Sequence, residues 1–491
     1  MVILEQYFST FRQNTIGINQ TFVSPFGEKI IVYADWVASG RLYKPIEDKI
    51  ANQFGPFVGN THTETSVTGT LMTKSYHLAH ELIKRHVNAG KDDVIITAGS
   101  GMTRVISKFQ RLLGIKLPEQ LRNKFNLTPK EKPIVFITHM EHHSNQTSWI
   151  ETIADCEIIP PTETGLVDYE YFSSLLEKYK NRTMKIGSFT AASNVTGVQT
   201  DYHRLAKLMH KYGGLCFVDF AMAAPYTDID MHPADEEERL DAIFFSPHKF
   251  LGGPGASGVL IFDSKLYHRS IPDNPGGGTV EWTNPWGGHK YFNNIELRED
   301  GGTPGFLQAI RAALAIKLKE NMGVPNMLRH EKALLSLAFN RMDKINKLHI
   351  LANNLRDRLG VISFFIEDIH YNLIVKLLND LYGIQVRGGC SCAGTYGHFL
   401  LHVDPSRSKH IAHKINDGDL SEKPGWVRLS FHPTMTVDEV NYIIDAIENI
   451  SLNIDKYSEK YVYSSHSNEF TFKEGKSNFK VSKWFLFDNS N

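Results

Sequence analysis

At 491 residues, with 42% hydrophobic and 22% charged side chains, the chain can bury a substantial core and form more than one domain. Lys and Arg total 53 against 54 Asp and Glu, a net charge of -1 with no long single-sign run, which argues against nucleic acid or a polybasic membrane patch as partner. Only Cys156, Cys216, Cys390 and Cys392 are present, too few for a disulfide scaffold of this size; with no basic leader in "MVILEQYFSTFRQNTIG" and no stretch of membrane-spanning length, reduced thiols and a cytoplasmic location are expected.

From about Asp92 onward, short apolar runs alternate with amphipathic segments. "DDVIITAG" predicts a buried strand, and "TRVISKFQRLLG" a helix with Val105, Phe109, Leu112 and Leu113 on one face. "PIVFIT", "CEIIP" and "MKIGSFT" are further strands, and "DYHRLAKLMHKYGG" is a helix that Gly213 stops. "LCFVDF", "LDAIFFS" and "GVLIF" follow as three more buried strands. Continuous apolar strands separated by helices predict an α/β domain around a mostly parallel, seven-stranded-type sheet covered on both faces, with ligands at the carboxyl ends of the strands.

Past Gly305 a long helical stretch gives way to a smaller α+β domain. There "IQVR" and "VRLSF" read as strands, and "TVDEVNYIIDAIENI" as a helix opened by a capping box of Thr436 and Glu439. The polar insert of residues 403–424 reads as a surface loop, and the tail after Asp455 as a short strand-rich appendage. The expected division is 1–30 as an N-terminal segment of the small domain, 31–304 as the large domain, 305–454 as the small domain and 455–491 as an extension.

"FFSPHKFLGGPG" puts Lys249 directly after a buried strand, where it reads either as a surface lysine or, in a crowded, desolvated site, as a neutral amine able to form a Schiff base with an aldehyde cofactor. One strand earlier, "CFVDFAMAAP" ends on Asp219, where a buried carboxylate needs a cation or donor; a pyridinium nitrogen is one such partner, a structural turn cap another.

From about Val32 to Ile450 the ordered set of motifs resembles the aminotransferase class V fold of pyridoxal phosphate (PLP) enzymes, type I, and within it the cysteine desulfurase and selenocysteine lyase group. The resemblance implies a PLP-dependent enzyme that removes sulfur from L-cysteine, or selenium from selenocysteine, and leaves alanine. In "SPHK" it implies Lys249 as the Schiff-base lysine, with Ser246 and His248 on the cofactor phosphate; "VDFA" gives Asp219 the pyridine nitrogen. "MEHHSN" places His142 on the cofactor ring, "TAGSGMT" places Ser100 and Gly101 at the phosphate, and "ASNVTG" places Asn194 by the phenolic oxygen and the substrate. "EDGGTP" supplies Thr303, which the family delivers to the phosphate of a neighbouring subunit, so a homodimer with shared active sites is implied. In "WVRLSFHP" the resemblance implies that Arg428 holds the substrate carboxylate, where a strand arginine alone could equally form a structural salt bridge. Where the family has a glutamine after Asp-x-Ala, this chain has Met222, which cannot donate a hydrogen bond to the phenolic oxygen.

"VRGGCSCAGTYGH" lies where the group carries its catalytic cysteine, which aligns Cys392 with the attacking thiol and Arg387 with the family's arginine. The glycines before Cys390 suit a mobile loop, and a sulfur-acceptor protein would then take the persulfide. A second reading makes Cys390, Cys392, His398 and His402 a metal set, although C-x-C-x5-H-x3-H is not a common zinc spacing. Two functional rivals stand beside the desulfurase: an aminotransferase, epimerase or lyase of the same fold without a persulfide step, and a non-catalytic sulfur carrier.

Overall fold

Seven apolar strands pair into one central sheet in the computed structural model, which describes residues 2–122, 124, 126–475 and 481–487. They are β1 (Asp93–Ala98), β2 (Ile134–Thr138), β3 (Asp155–Ile159), β4 (Lys185–Thr190), β5 (Leu215–Asp219), β6 (Ala242–Phe245) and β7 (Gly258–Asp263). Their order is β1-β7-β6-β5-β4-β2-β3, and every pairing is parallel except the two made by β7. These are the seven runs expected from the sequence.

Burial on both faces explains why they read as unbroken apolar runs. Along β2, Ile134 and Phe136 join one core cluster while Val135 and Ile137 join the other, as the alternation of a strand demands. Helix α1 (Met102–Leu112) covers the second face with Val105 and Phe109, beside Trp149 from α2 (His143–Ile150).

Helices α3 (Phe306–Met322) and α4 (Val324–Met342) lead to a four-stranded antiparallel sheet of β8 (Leu348–Ile350), β9 (Val361–Ile366), β10 (Arg387–Gly389) and β11 (Trp426–Ser430), in the order β8-β9-β11-β10. Helices α5 (Tyr371–Tyr382), α6 (Gly394–Leu400), α7 (Pro405–Asn416) and α8 (Val437–Leu452) belong to this part of the chain. The Thr436–Glu439 capping box opens α8, whose Val440, Ile443, Ile444 and Ile447 are buried. Arg12, on the N-terminal helix Val2–Gln13, forks Glu439 at 2.5 and 2.9 Å.

The 403–424 insert is not the loop expected from its polarity. It holds α7, capped by Asp404 Oδ1, which accepts from the Ser406 and Arg407 amides, with Pro405 in the first turn. Only Ile411 of α7 is buried, so the apolar period that reveals a helix is missing and the Asp-Pro start is its one sequence signal. After Asp455 the chain forms the hairpin of β12 (Tyr461–Ser464) and β13 (Glu469–Phe472), the strand-rich appendage anticipated. Among the described residues no helix is long and apolar enough to cross a membrane.

Candidate active site

The carboxyl ends of β1, β2, β4, β5 and β6 open together onto a cavity of about 660 Å³, whose opposite wall comes from the four-stranded sheet. Ser100, Gly101, His142, Asn194, Asp219, Met222, Ser246, His248, Lys249, Arg387, Cys390, Cys392 and Arg428 all line it. Thr303 does not: it is exposed on the segment before α3.

Burial drives the central pair toward neutrality from opposite sides. It pulls the Lys249 ammonium down to about 8, a fall that Asp219 opposes. It raises the Asp219 carboxyl to about 6, although Oδ1 accepts from the Ala221 amide at 2.8 Å and Lys249 lies near.

His142 caps α2: its Nδ1 accepts from the Ser144 amide at 3.1 Å, which leaves the proton of the neutral ring on Nε2. Burial, then repulsion from Lys249, lowers it to about 3, so the imidazole is neutral in the physiological range. Beneath it the buried Glu141 accepts from Thr138 Oγ1 (2.7 Å), Asn145 Nδ2 (2.7 Å) and the Thr190 amide (2.9 Å), fixing the turn that presents His142.

The start of α1 forms a second feature. Gly101 precedes it without a capping side chain, and Ser246 Oγ accepts from the Met102 amide at 2.9 Å. A Cβ on Gly101 would come 3.1 Å from Ser246 Oγ and 3.6 Å from the His248 ring, so glycine keeps the space between strand ends open. Burial lowers His248 to about 4.

Across the cavity, β10 and β11 set Arg387 opposite Arg428, and Asp35 bridges them. Arg428 Nη2 donates to Asp35 Oδ1 at 2.7 Å and Arg387 Nε to Oδ2 at 3.1 Å. Arg428 Nη1 donates to the Asn194 carbonyl at 3.2 Å, while its Nε is buried without a partner. Asn194 Nδ2 in turn donates to the Ser391 carbonyl at 2.7 Å, tying the turn after β4 to the cysteine segment.

That segment differs from the loose loop expected. Gly388 and Gly389 belong to β10, and the turn is made by Gly389, Ser391 and Cys392 at φ of +105°, +51° and +56°. The His143 amide donates to the Cys392 carbonyl at 2.7 Å, and His143 Nε2 accepts from the Gly394 amide at 2.9 Å. Cys392 is exposed, whereas Cys390 is half-buried against the core. In the alternative metal set, His398 is engaged elsewhere: Nδ1 donates to the Gly394 carbonyl (2.8 Å) and Nε2 pairs with Ser408 Oγ (2.9 Å). Among the described residues no three His, Cys, Asp or Glu side chains gather as a metal-holding group.

Asp35, Tyr371, Asn372, Lys423 and Asn468 belong to this site without any motif in the sequence that marks them. All but Asp35 line the cavity, and Asp35 holds two arginines that do. The lone acid in "YADWV" carries no local signal, since its partners lie more than 350 residues away.

A mostly parallel sheet with a strand-end lysine and a buried strand-end aspartate on one cavity defines an α/β enzyme. The aminotransferase class-V family model matches residues 32–443, and the chain belongs to that family of PLP-dependent enzymes. It is 27% identical over 368 residues to a probable cysteine desulfurase of Halalkalibacterium halodurans, covering 74% of this chain and 84% of that one. A probable cysteine desulfurase of Staphylococcus epidermidis is 28% identical over 370 residues, with the same coverage. In fold it is similar to the cysteine desulfurase of Thermococcus onnurineus (TM-score 0.69, 23% identity, 86% of this chain and 95% of that one). The same holds for the cysteine desulfurase CsdA of Escherichia coli (TM-score 0.69, 21% identity, 91% and 98%).

Proposed function

We propose that the chain is a cysteine desulfurase-like enzyme that removes sulfur from L-cysteine, or selenium from selenocysteine, through a persulfide on Cys392, with alanine as the other product. The observation that carries this reading is the placement of Lys249, Asp219, His142 and Cys392 on one cavity of about 660 Å³.

The residues present fit PLP. The open space at Gly101 and the start of α1, which Gly101 leaves without a side-chain cap of its own, suit a phosphate, with Ser100, Ser246 and His248 as its side-chain contacts. The buried Asp219 suits a protonated ring nitrogen, and the neutral His142 offers a flat ring face. When bound, PLP supplies the electron sink that loosens the bonds at the substrate Cα.

The chain's own groups do the rest. Lys249 Nζ, held near 8, is partly neutral at physiological pH and serves as the base for the Cα proton. Arg428 lines the cavity, where its guanidinium would meet a substrate carboxylate, and Asn194 and Arg387 flank it. The Cys392 thiolate attacks the substrate sulfur: the S–S bond forms as the Cβ–S bond breaks, and the electron pair and a proton end on alanine. The exposure of Cys392 suits onward transfer to an acceptor protein. Thr303, exposed away from the cavity, is free to reach the phosphate of a second copy in a homodimer with shared sites. Four free thiols accord with a cytoplasmic location.

Met222 on the cavity wall favours the second reading, a class V enzyme without persulfide chemistry. The cysteine variants separate the two. Cys392→Ala should bind PLP and cysteine yet form no persulfide, and Cys390→Ala should keep most turnover. Full activity in both variants would sink the desulfurase reading.

A further inference from the structure

The β12–β13 hairpin lies beyond the family-matched span, yet Asn468 at its turn lines the active-site cavity. Asn468 is 7% exposed, and its side-chain amide and backbone carbonyl are engaged. Its Nδ2 donates to Tyr371 Oη at 2.8 Å, its Oδ1 accepts from Tyr463 Oη at 2.9 Å, and its carbonyl accepts from Asn372 Nδ2 at 2.6 Å. Its φ of +56° is one that asparagine tolerates better than most residues.

Tyr371 and Asn372 pass this restraint to the strand before the cysteines. Tyr371 Oη donates to the Lys423 carbonyl at 3.2 Å. A Cβ on Gly388 would lie 2.4 Å from Asn372 Oδ1, and a Cβ on Gly425 would lie 2.6 Å from the Tyr371 ring and 2.9 Å from Gly389 Cα. The first turn of α5 thus rests directly on the backbone that leads into Cys390. The hairpin itself is anchored: Tyr461 Oη donates to the buried Asp380 Oδ2 at 2.9 Å, and His370 packs against Tyr463 and Phe470.

We propose that Asn468 is a positioning residue for the cysteine segment, clamping Tyr371 and Asn372 onto Gly388, and Tyr371 through Gly425 against Gly389, and so setting the exposure and reactivity of Cys390 and Cys392. The C-terminal hairpin is then a working wall of the active site. Its effect on turnover rests on the desulfurase reading; its effect on the thiols does not.

The test is alkylation of the full-length, PLP-loaded protein by iodoacetamide, followed cysteine by cysteine with mass spectrometry. Asn468→Gly keeps the left-handed backbone and removes the side chain; Tyr463→Phe removes one donor and leaves the packing. Labelling of Cys390 and Cys392 should quicken about threefold or more in Asn468→Gly, the factor one lost hydrogen bond corresponds to, and less in Tyr463→Phe. Cys156 and Cys216 should keep their wild-type rates. With L-cysteine as substrate, kcat should fall while KM changes little. Unchanged labelling in both variants overturns the proposal, and so does equal quickening at all four cysteines, which would mark general loosening. Altered labelling without any alanine from L-cysteine would leave the clamp standing and remove the desulfurase.

Discussion

Lys249 and Asp219 face each other across a small difference in proton affinity, about 8 against about 6, because each is buried where its charged form is poorly solvated. A lysine so placed can shed its proton without strong base, which is what a covalent link to an aldehyde requires. Purified protein should therefore be yellow when loaded with PLP. Lys249→Ala should lose the covalent link on borohydride reduction and at least about 10²-fold in turnover, as expected for loss of a general base. A covalent adduct persisting in that variant would place the chemistry elsewhere. Arg428→Lys keeps the charge but gives up the fork; KM for cysteine should rise about tenfold or more, the weight of one charged hydrogen bond, with kcat less affected. A variant with unchanged KM would leave Arg428 as only the partner of Asp35. Met222→Gln adds a donor to the cavity wall and should move the pH at which the cofactor colour changes, each unit corresponding to about 1.4 kcal/mol. A superimposable titration would remove Met222 from the ring's surroundings.

At the scale of elements, what could be read from the sequence followed from burial. The seven strands were legible because both faces of the sheet are covered, and the strand-end motifs then fell at the cavity rim. Helix α7 was not, because a helix with one buried residue has no apolar period. Asp35 and Asn468 were not, because their roles exist only once distant segments meet. Helix α4 carries a further consequence that sequence does not show. Its Glu331 is buried, accepts from the Gly360 amide at 2.8 Å, and is raised to about 8 by burial. With the folded value above the unfolded one, the native state holds the proton more tightly. The stability it confers is full below about 4.5 and is lost as pH rises to about 8. Glu331→Gln should flatten that dependence, so denaturation midpoints of wild type and variant compared at pH 5 and pH 8 should diverge at the higher pH, with the variant the more stable. Parallel curves would show that Glu331 finds a cation or water in solution.

Over the whole molecule, two differently built halves present complementary chemistry to one space. The parallel sheet gathers the lysine, the aspartate and the open helix start at its carboxyl edge. The antiparallel sheet brings paired arginines and the cysteine turn, and the C-terminal hairpin closes the wall. The class V family hosts several reactions on this frame, and only the outcome on substrate separates them. The most direct measurement is incubation of the PLP-loaded protein with L-cysteine and a thiol reductant, with alanine and sulfide quantified in the same samples. Alanine and sulfide are expected in equal amounts, both absent with Cys392→Ala; pyruvate, racemised cysteine, or alanine formed undiminished by Cys392→Ala would rule out persulfide chemistry on Cys392.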